Sequence, residues 1–142
     1  MRLLIVKTSS MGDVVHALPV VADVLRHDPS AHIEWLVESS FAAIPQLHPG
    51  IQRVLPMAWR KWRRALLSGH TWKAMRALRD DLQREPYDLV LDLQGLLKSA
   101  LWARQAKGPV AGYDRRSARE PAAAWAYRKR AAIAKDLHAV HR

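Results

Sequence analysis

Cysteine is absent from this chain of 142 residues, so no disulfide and no thiolate metal site can form. The apolar run at the amino terminus covers only residues 3–6, and Lys7 ends it. A signal peptide needs a longer apolar core, and nothing approaches the ~20 apolar residues of a membrane-spanning helix. These absences favour a cytoplasmic protein. The length predicts a single domain over residues 1–142.

The glycine motifs of nucleotide-binding loops are also missing, since neither G-x-G-x-x-G nor G-x-x-x-x-G-K-[ST] occurs. The first apolar run instead leads into a polar loop with one glycine, Gly12, followed by Asp13 and an apolar helical pattern. A carboxylate in the first turn of a helix repels a pyrophosphate. The loop therefore predicts proton chemistry or alcohol binding. Asp13 is either a general base or a helix N-cap, and its position alone favours the cap. His16, one turn later, is interpreted as a packing or hydrogen-bonding residue and not as a catalyst.

Acidic residues are scarce in the second part of the chain. Residues 1–58 hold 4 lysines and arginines against 5 acids, whereas residues 59–142 hold 19 against 8. Such a one-sided excess indicates an anionic partner: nucleic acid, an anionic lipid surface, or a phosphorylated or carboxylated substrate.

Apolar runs alternate with helical patterns along the chain, which predicts an α/β fold with a Rossmann-like parallel sheet and flanking helices. The predicted strands are Arg2–Lys7, His32–Val37, Arg53–Pro56, Asp88–Leu93 and Val110–Tyr113. The predicted helices are Val14–His27, Phe41–Leu47, Arg60–Leu67, Trp72–Arg84, Lys98–Ala106 and Pro121–Tyr127. Pro19 is expected to kink the first of them.

A basic segment, residues 59–64, carries four cations and two indoles with the sequence Trp-Arg-Lys-Trp-Arg-Arg. On a helix, Arg60, Arg63 and Arg64 would share one face and form an anion clamp. The tryptophans suit a membrane interface or a sugar. Two alternatives stay open: a solvated basic face over core indoles, and a surface for single-stranded nucleic acid.

Two further loops are predicted at the sheet edge that carries the Asp13 loop. Residues 92–99, Asp-Leu-Gln-Gly-Leu-Leu-Lys-Ser, place Gln94 and Lys98 within reach of a ligand. Residues 113–121 supply a second cationic cluster of Arg115, Arg116 and Arg119. Arg119 and Glu120 could equally form a surface ion pair.

No metal site is predicted, because the seven histidines show no H-E-x-x-H pattern. His138 and His141 lie in residues 133–142, which read as the beginning of a helix without a C-cap. The sequence therefore suggests a truncated chain.

The loop motif of residues 7–19 resembles the amino terminus of the lipopolysaccharide heptosyltransferase I family. The resemblance continues through the basic segment, the motif Asp92-x-Gln-Gly-Leu-x-Lys-Ser, residues 117–121 (Ser-Ala-Arg-Glu-Pro) and residues 138–140 (His-Ala-Val). The order and spacing of these motifs along the chain make the resemblance specific.

The resemblance implies the amino-terminal, acceptor-binding half of a GT-B glycosyltransferase whose carboxy-terminal half holds the donor. It implies inverting transfer of L-glycero-D-manno-heptose from ADP-heptose to the Kdo of Kdo2-lipid A, in assembly of the lipopolysaccharide core. Asp13 resembles the catalytic base, and Arg119 resembles an active-site cation. The implied acceptor-binding residues are Ser10, Met11, Gly12, Arg60, Lys61, Arg63, Arg64, Gln94, Lys98 and Arg119.

The expected partners are Kdo2-lipid A, ADP-heptose through the absent domain, and an anionic membrane surface, which implies peripheral attachment at the inner membrane. No cofactor, metal or nucleic acid is expected, and the isolated chain is expected to be inactive. The alternatives are a basic nucleic-acid-binding module and a related heptosyltransferase acting on a later core sugar.

Overall fold

The computed structural model describes residues 1–131 as one six-stranded sheet flanked by helices. All neighbouring strands are parallel, in the order β3-β2-β1-β4-β5-β6. This confirms the predicted α/β class with a Rossmann-like sheet. The predicted helix over residues 133–142, with His138 and His141, lies outside the described residues.

The six strands agree closely with the sequence patterns. They are β1 Arg2–Val6, β2 His32–Glu38, β3 Arg53–Met57, β4 Leu89–Asp92, β5 Val110–Tyr113 and β6 Lys129–Ala131. Strand β6 was not predicted, because residues 128–130 are a run of cations with no apolar alternation. It is short and pairs only with β5 at one edge of the sheet, where charged side chains are common.

The prediction of one helix over Val14–His27 is wrong, because two helices occupy this part of the chain. They are α1 Met11–Ala17 and α2 Pro19–His27, with the break at Leu18. Pro19 occupies the first turn of α2, where its missing N–H costs no hydrogen bond. Pro19 therefore ends one helix and begins the next.

The remaining helices are α3 Ala43–Gln46, α4 Trp59–Trp62, α5 Gly69–Gln83 and α6 Leu97–Gln105. The predicted helix Arg60–Leu67 is wrong beyond Trp62, because the chain continues in turns to Ser68 and then enters α5. The predicted helices Phe41–Leu47 and Pro121–Tyr127 are partly or wholly 3₁₀, over Ser39–Phe41 and Pro121–Ala126.

Two apolar cores cover the two faces of the sheet. Leu3 and Ile5 of β1 pack under α1 and α2, whereas Leu4 and Val6 belong to the core that includes α5 and α6 residues. This alternation places successive residues of β1 on opposite faces, and both faces are buried. No helix within residues 1–131 is both long and apolar enough to cross a membrane.

Candidate functional site at the carboxyl edge of the sheet

Asp13 is held by the loop that follows β1. Ser10 is the N-cap of α1, and Asp13 is the third residue of the helix. The interpretation of Asp13 as the N-cap residue is therefore wrong. The Ser10 amide donates to Asp13 Oδ2 at 3.2 Å, and the Ser10 hydroxyl lies 3.3 Å from the same oxygen. These two contacts with Ser10 fix the carboxylate at the helix start.

The second oxygen of Asp13 faces Arg119 from the loop after β5. Arg119 Nη2 lies 3.3 Å from Asp13 Oδ1, a contact between residues 106 positions apart. Partial burial alone would raise the pKa of Asp13, but the Ser10 amide and the charges of Arg119 and Lys7 outweigh it and lower the pKa. Asp13 is therefore ionised at neutral pH and able to accept a proton.

A cleft opens beside this pair at the carboxyl ends of β1, β4 and β5. Sequence analysis singled out three of its lining residues as binding or catalytic: Asp13, Gln94 and Arg119. It is also lined by Lys7, His16, Ala17, Val20, Leu93, Tyr113 and Ser117. Open α/β sheets bind ligands at this edge.

Lys7 is the main residue of the cleft that sequence reasoning missed. Its side chain is largely buried, and Nζ donates to the Leu93 carbonyl at 2.9 Å. A lysine that directly follows a buried strand was the available signal, because cations there are placed at the ligand edge. His16, interpreted as a packing or hydrogen-bonding residue, also lines the cleft.

Gln94 connects the two loops on which the cleft rests. Its side chain is buried, with Oε1 3.5 Å from the Ser9 amide and Nε2 3.4 Å from the Ser9 hydroxyl. The loop after β4 thereby supports the loop after β1, although the partners are 85 positions apart.

Asp92 organises the turn beneath Gln94. Asp92 Oδ1 accepts the Gln94 amide at 2.8 Å, while Oδ2 accepts hydroxyls from Ser99 at 2.9 Å and Tyr127 at 2.5 Å. Burial raises the pKa of Asp92, and the hydrogen bonds from Tyr127, Gln94 and Ser99 oppose that rise. Asp92 is therefore a structural carboxylate, unlike Asp13.

Gly95 lets the loop of Arg119 approach this turn. Its φ is +70°, and an added Cβ would lie 3.0 Å from the Tyr113 ring and 3.2 Å from the Arg119 nitrogen. The Glu120 amide donates to the Gly95 carbonyl at 2.9 Å, and Glu120 itself accepts the Leu97 amide at 3.1 Å. Glu120 thus binds backbone while Arg119 faces Asp13, so the alternative of an Arg119–Glu120 ion pair is wrong.

Part of the basic segment gathers around a second buried carboxylate, Glu38, at the end of β2. Glu38 Oε1 accepts the Arg60 amide at 3.2 Å, while Oε2 is buried without a hydrogen-bond partner. Burial lowers the pKa of Lys98, the charge of Glu38 opposes this, and Arg60 and Arg63 lower it further. Lys98, Arg60 and Arg63 therefore form one cationic group at the same edge as the cleft.

The other predicted site residues lie at the rim or on the surface. Met11 and Gly12 are exposed on the first turn of α1, and a Cβ added at Gly12 would meet no atom within 4 Å. Lys61, Arg64, Arg115 and Arg116 are exposed.

Trp62, by contrast, is buried and packs against Trp102 with ring centroids 5.9 Å apart. For Trp62 the structure therefore agrees with the alternative of a core indole, and contact with a membrane or a sugar is wrong.

Across residues 1–131, no group of three or more histidine, cysteine, aspartate or glutamate side chains is placed to hold a metal ion. The site as described consists of one ionised carboxylate between cations, with a second cationic group nearby. Such an arrangement can accept a proton from a hydroxyl while it holds an anionic ligand.

Comparison with known proteins supports the resemblance seen in the motifs. The model of glycosyltransferase family 9 (heptosyltransferase) matches residues 75–142. Over its whole length the chain is 48% identical to lipopolysaccharide heptosyltransferase 1 of Escherichia coli K12, of which it covers 45%. It is also 48% identical to the protein of that name from Pseudomonas aeruginosa, of which it covers 40%. The predicted resemblance is confirmed.

Solved structures give the same result. The chain matches the E. coli heptosyltransferase WaaC with ADP-2-deoxy-2-fluoro heptose at 46% identity and a TM-score of 0.96, covering 99% of this chain and 45% of that one. It matches the E. coli ADP-heptose lps heptosyltransferase II at 20% identity and a TM-score of 0.61, which shows a shared fold alone. The chain spans less than half the length of these relatives.

Proposed function

We propose that this chain, similar over its whole length to lipopolysaccharide heptosyltransferase 1, is the acceptor-binding half of an inverting heptosyltransferase. The enzyme would have two Rossmann-like domains, as in the GT-B architecture, and would transfer L-glycero-D-manno-heptose from ADP-heptose to the Kdo of Kdo2-lipid A. The donor would be held by a second domain, and the reaction would take place at the cytoplasmic face of the inner membrane.

The observation that carries this proposal is the position of Asp13, ionised and at the mouth of the cleft. The Kdo hydroxyl oxygen attacks the anomeric carbon of heptose, and the carbon–oxygen bond to ADP breaks, with its electron pair leaving on the diphosphate. The hydroxyl proton passes to Asp13. Because its lowered pKa makes Asp13 a weak base, proton transfer must accompany bond formation.

The cations recognise the anionic acceptor. Arg60, Arg63 and Lys98 form a group around Glu38 beside the cleft, and Lys61 and Arg64 extend it outward. Arginines bind phosphates and carboxylates in bidentate fashion, and Kdo2-lipid A carries both groups. Ser10, Met11 and Gly12 form the rim of α1 over which the sugar would lie.

The burial of Trp62 argues against the alternative of a nucleic-acid-binding module. Proteins that bind single-stranded nucleic acid without sequence preference rely on exposed aromatic side chains on which the bases stack. In the basic segment Trp62 is buried and Trp59 is half-buried and packed against the core. Within residues 59–64 the cations therefore lack freely exposed rings, which favours a compact anionic ligand at this segment.

A binding titration tests the proposal. De-acylated Kdo2-lipid A is added to the purified chain, with and without excess single-stranded DNA, over a range of salt concentrations. We expect saturable binding that survives the polyanion, and retention of most of that affinity by Asp13→Asn, since the base acts on the proton. Complete displacement by DNA would contradict an acceptor site. Equal or tighter binding of an acceptor that already carries heptose would favour action on a later core sugar.

Transfer by the chain alone is expected to be negligible. Catalysis depends on holding donor and acceptor in attack geometry, an effect worth up to roughly 7–11 kcal/mol. With ADP-heptose and de-acylated acceptor, the chain should therefore produce no heptosylated product detectable by mass spectrometry. Product formation by this polypeptide would contradict the assignment of the donor site to a second domain.

A further inference from the structure

Large apolar side chains are exposed together on one side of the molecule. Of the nine such side chains exposed within residues 1–131, four lie in the loop after α4 and on α5 and α6: Leu66, Leu67, Trp72 and Leu101. Leu67 is fully exposed, and the Trp72 indole donates to the Leu66 carbonyl at 2.6 Å. The loop between α4 and α5 is thus fastened to α5 with its two leucines facing water.

An open groove continues this surface. It has a volume of about 470 Å³, and its apolar lining consists of Trp59, Trp72, Met75, Leu101 and Trp102. Arg76 and Arg79 of α5 also line it. Contiguous exposed apolar surface of this kind marks an interaction site.

The two charged side chains that line the groove, Arg76 and Arg79, are both cations, and the first acid of α5 is Asp80, the next residue in the chain. Residues 59–79 contain seven lysines and arginines and no aspartate or glutamate. Indoles and leucines beside a cluster of Lys and Arg are typical of surfaces that lie in the interface of an anionic bilayer. A protein partner of ordinary composition would leave several of these cations unpaired.

Helix α4 connects this surface to the candidate site. Trp59 lies in the groove, while the amide of the next residue, Arg60, is bonded to Glu38 at the carboxyl edge of the sheet. A ligand with an anionic head and an apolar part can therefore contact both regions at once.

We propose that Leu66, Leu67, Trp72, Leu101, Arg76 and Arg79 form a docking face for a bilayer that carries anionic phospholipid headgroups. Leu66 and Leu67 enter the headgroup region, Trp72 lies at its boundary, and the two arginines contact phosphates. The inference extends the proposed function, because it gives the surface by which a lipid-linked acceptor is approached.

Co-sedimentation with vesicles tests the docking face without any lipopolysaccharide. The purified chain is mixed with phosphatidylcholine vesicles, with or without added phosphatidylglycerol, at physiological salt. We expect binding to the anionic vesicles only. Leu67→Asp should lower the partition coefficient about tenfold, and Arg76→Ala about fivefold. The fully exposed Leu67 has no packing to lose, so a circular dichroism spectrum should remain unchanged.

Leu47→Asp is the matched control, because Leu47 is also a strongly exposed leucine but lies after α3. It should bind vesicles like the parent chain. Equal partition of the Leu67 and Leu47 variants, or no binding to anionic vesicles, would overturn the docking face. A parent dimer that Leu67→Asp dissociates, with no vesicle binding, would overturn it in favour of a second copy of the chain. Binding of the soluble, de-acylated acceptor should be the same for both variants, so the proposed function can fail or hold separately.

Discussion

The two edges of the sheet use the same kinds of side chain in opposite ways. At the amino edge, the fully buried Glu34 contacts Arg2 of β1, lies 3.0 Å from Arg53 of β3, and accepts the Tyr87 hydroxyl at 3.3 Å. At the carboxyl edge, Asp13 has one arginine contact, with Arg119 at 3.3 Å, on the wall of an open cleft. A carboxylate surrounded on all sides stabilises the fold, whereas one with an open side can react.

The pKa of Tyr87 follows from the closed character of the amino edge. Burial and the charge of Glu34 raise it to about 12, so the hydroxyl remains a hydrogen-bond donor throughout the neutral range. Arg2 also lies over the Tyr87 ring, 5.0 Å from its centroid. These contacts connect β1, β2 and β3 with Tyr87, which lies two residues before β4, so they stabilise the fold.

Neutralising Glu34 should have the largest effect on stability. Glu34→Gln leaves the charges of Arg2 and Arg53 beside a buried neutral side chain. Removing one partner of a buried ion pair lowers the free energy of unfolding by about 3 kcal/mol. Urea denaturation of both proteins at neutral pH measures the difference in unfolding free energy. The control is Asp23→Asn, which removes an exposed i,i+3 pair with Arg26 and should cost almost nothing. A loss for Glu34→Gln as small as that of the control would contradict a structural role for the amino edge.

Gly95→Ala should have the next largest effect and should reach the site. Alanine at φ +70° is strained, and its methyl would press on Tyr113 and the Arg119 backbone, so we expect a cost of about 2 kcal/mol. Acceptor affinity should fall as well, because the loop of Arg119 moves. Gly12→Ala is the control for stability alone, since its added methyl meets no atom within 4 Å. Equal stability of the two variants would show that the loop does not depend on the close approach at Gly95.

Removing the Arg119 side chain should weaken binding without unfolding the protein. Arg119 is exposed and carries one contact, so Arg119→Ala should reduce acceptor affinity about tenfold while the denaturation midpoint barely moves. Arg116→Ala, an exposed arginine of the same loop, is the comparison. Calorimetric titration with de-acylated acceptor measures both. If the two variants lose affinity equally, general cationic charge and not the position of Arg119 determines binding.

The two carboxylates of the carboxyl edge should titrate on opposite sides of the ordinary value of 3.8. Asp13 binds its proton more weakly in the folded chain, so its contribution to stability is complete above pH 3.8 and is lost as the pH falls through its folded pKa. Asp92 binds its proton more tightly, so ionising it above pH 3.8 destabilises the fold. Carboxyl-carbon NMR shifts measured against pH test this ordering. The reverse order would contradict the assignment of Asp92 as the structural carboxylate.

The fold was largely predictable because buried parallel strands leave uninterrupted apolar runs. Val110–Tyr113 was predicted to the residue, and only β6 was missed, since its cations carry no core pattern. Helix ends were less predictable. The chain leaves α4 at Trp62 although residues 63–67 contain good helix formers. Trp62 packs against Trp102, and the Trp72 indole bonds the Leu66 carbonyl, and neither contact is visible as local propensity.

The site was predictable at the level of its loops but not of its contacts. Asp13, Gln94 and Arg119 were singled out, and all three line the cleft. The Gln94–Ser9 bridge joins residues 85 positions apart, and the Asp13–Arg119 pair joins residues 106 apart, so neither is visible in local sequence. Lys7 was read only as the end of an apolar run.

The central claim is that the carboxyl edge binds the acceptor while the amino edge holds the fold together. Backbone amide NMR shifts of the isotopically labelled chain, followed during addition of de-acylated Kdo2-lipid A, test it most directly. The account predicts saturable shifts at Ser10, Asp13, Gln94, Lys98 and Arg119, with His32, Glu34 and Arg53 unmoved. Shifts confined to the amino edge, or a lack of shifts at Asp13 and Arg119 at saturation, would contradict it.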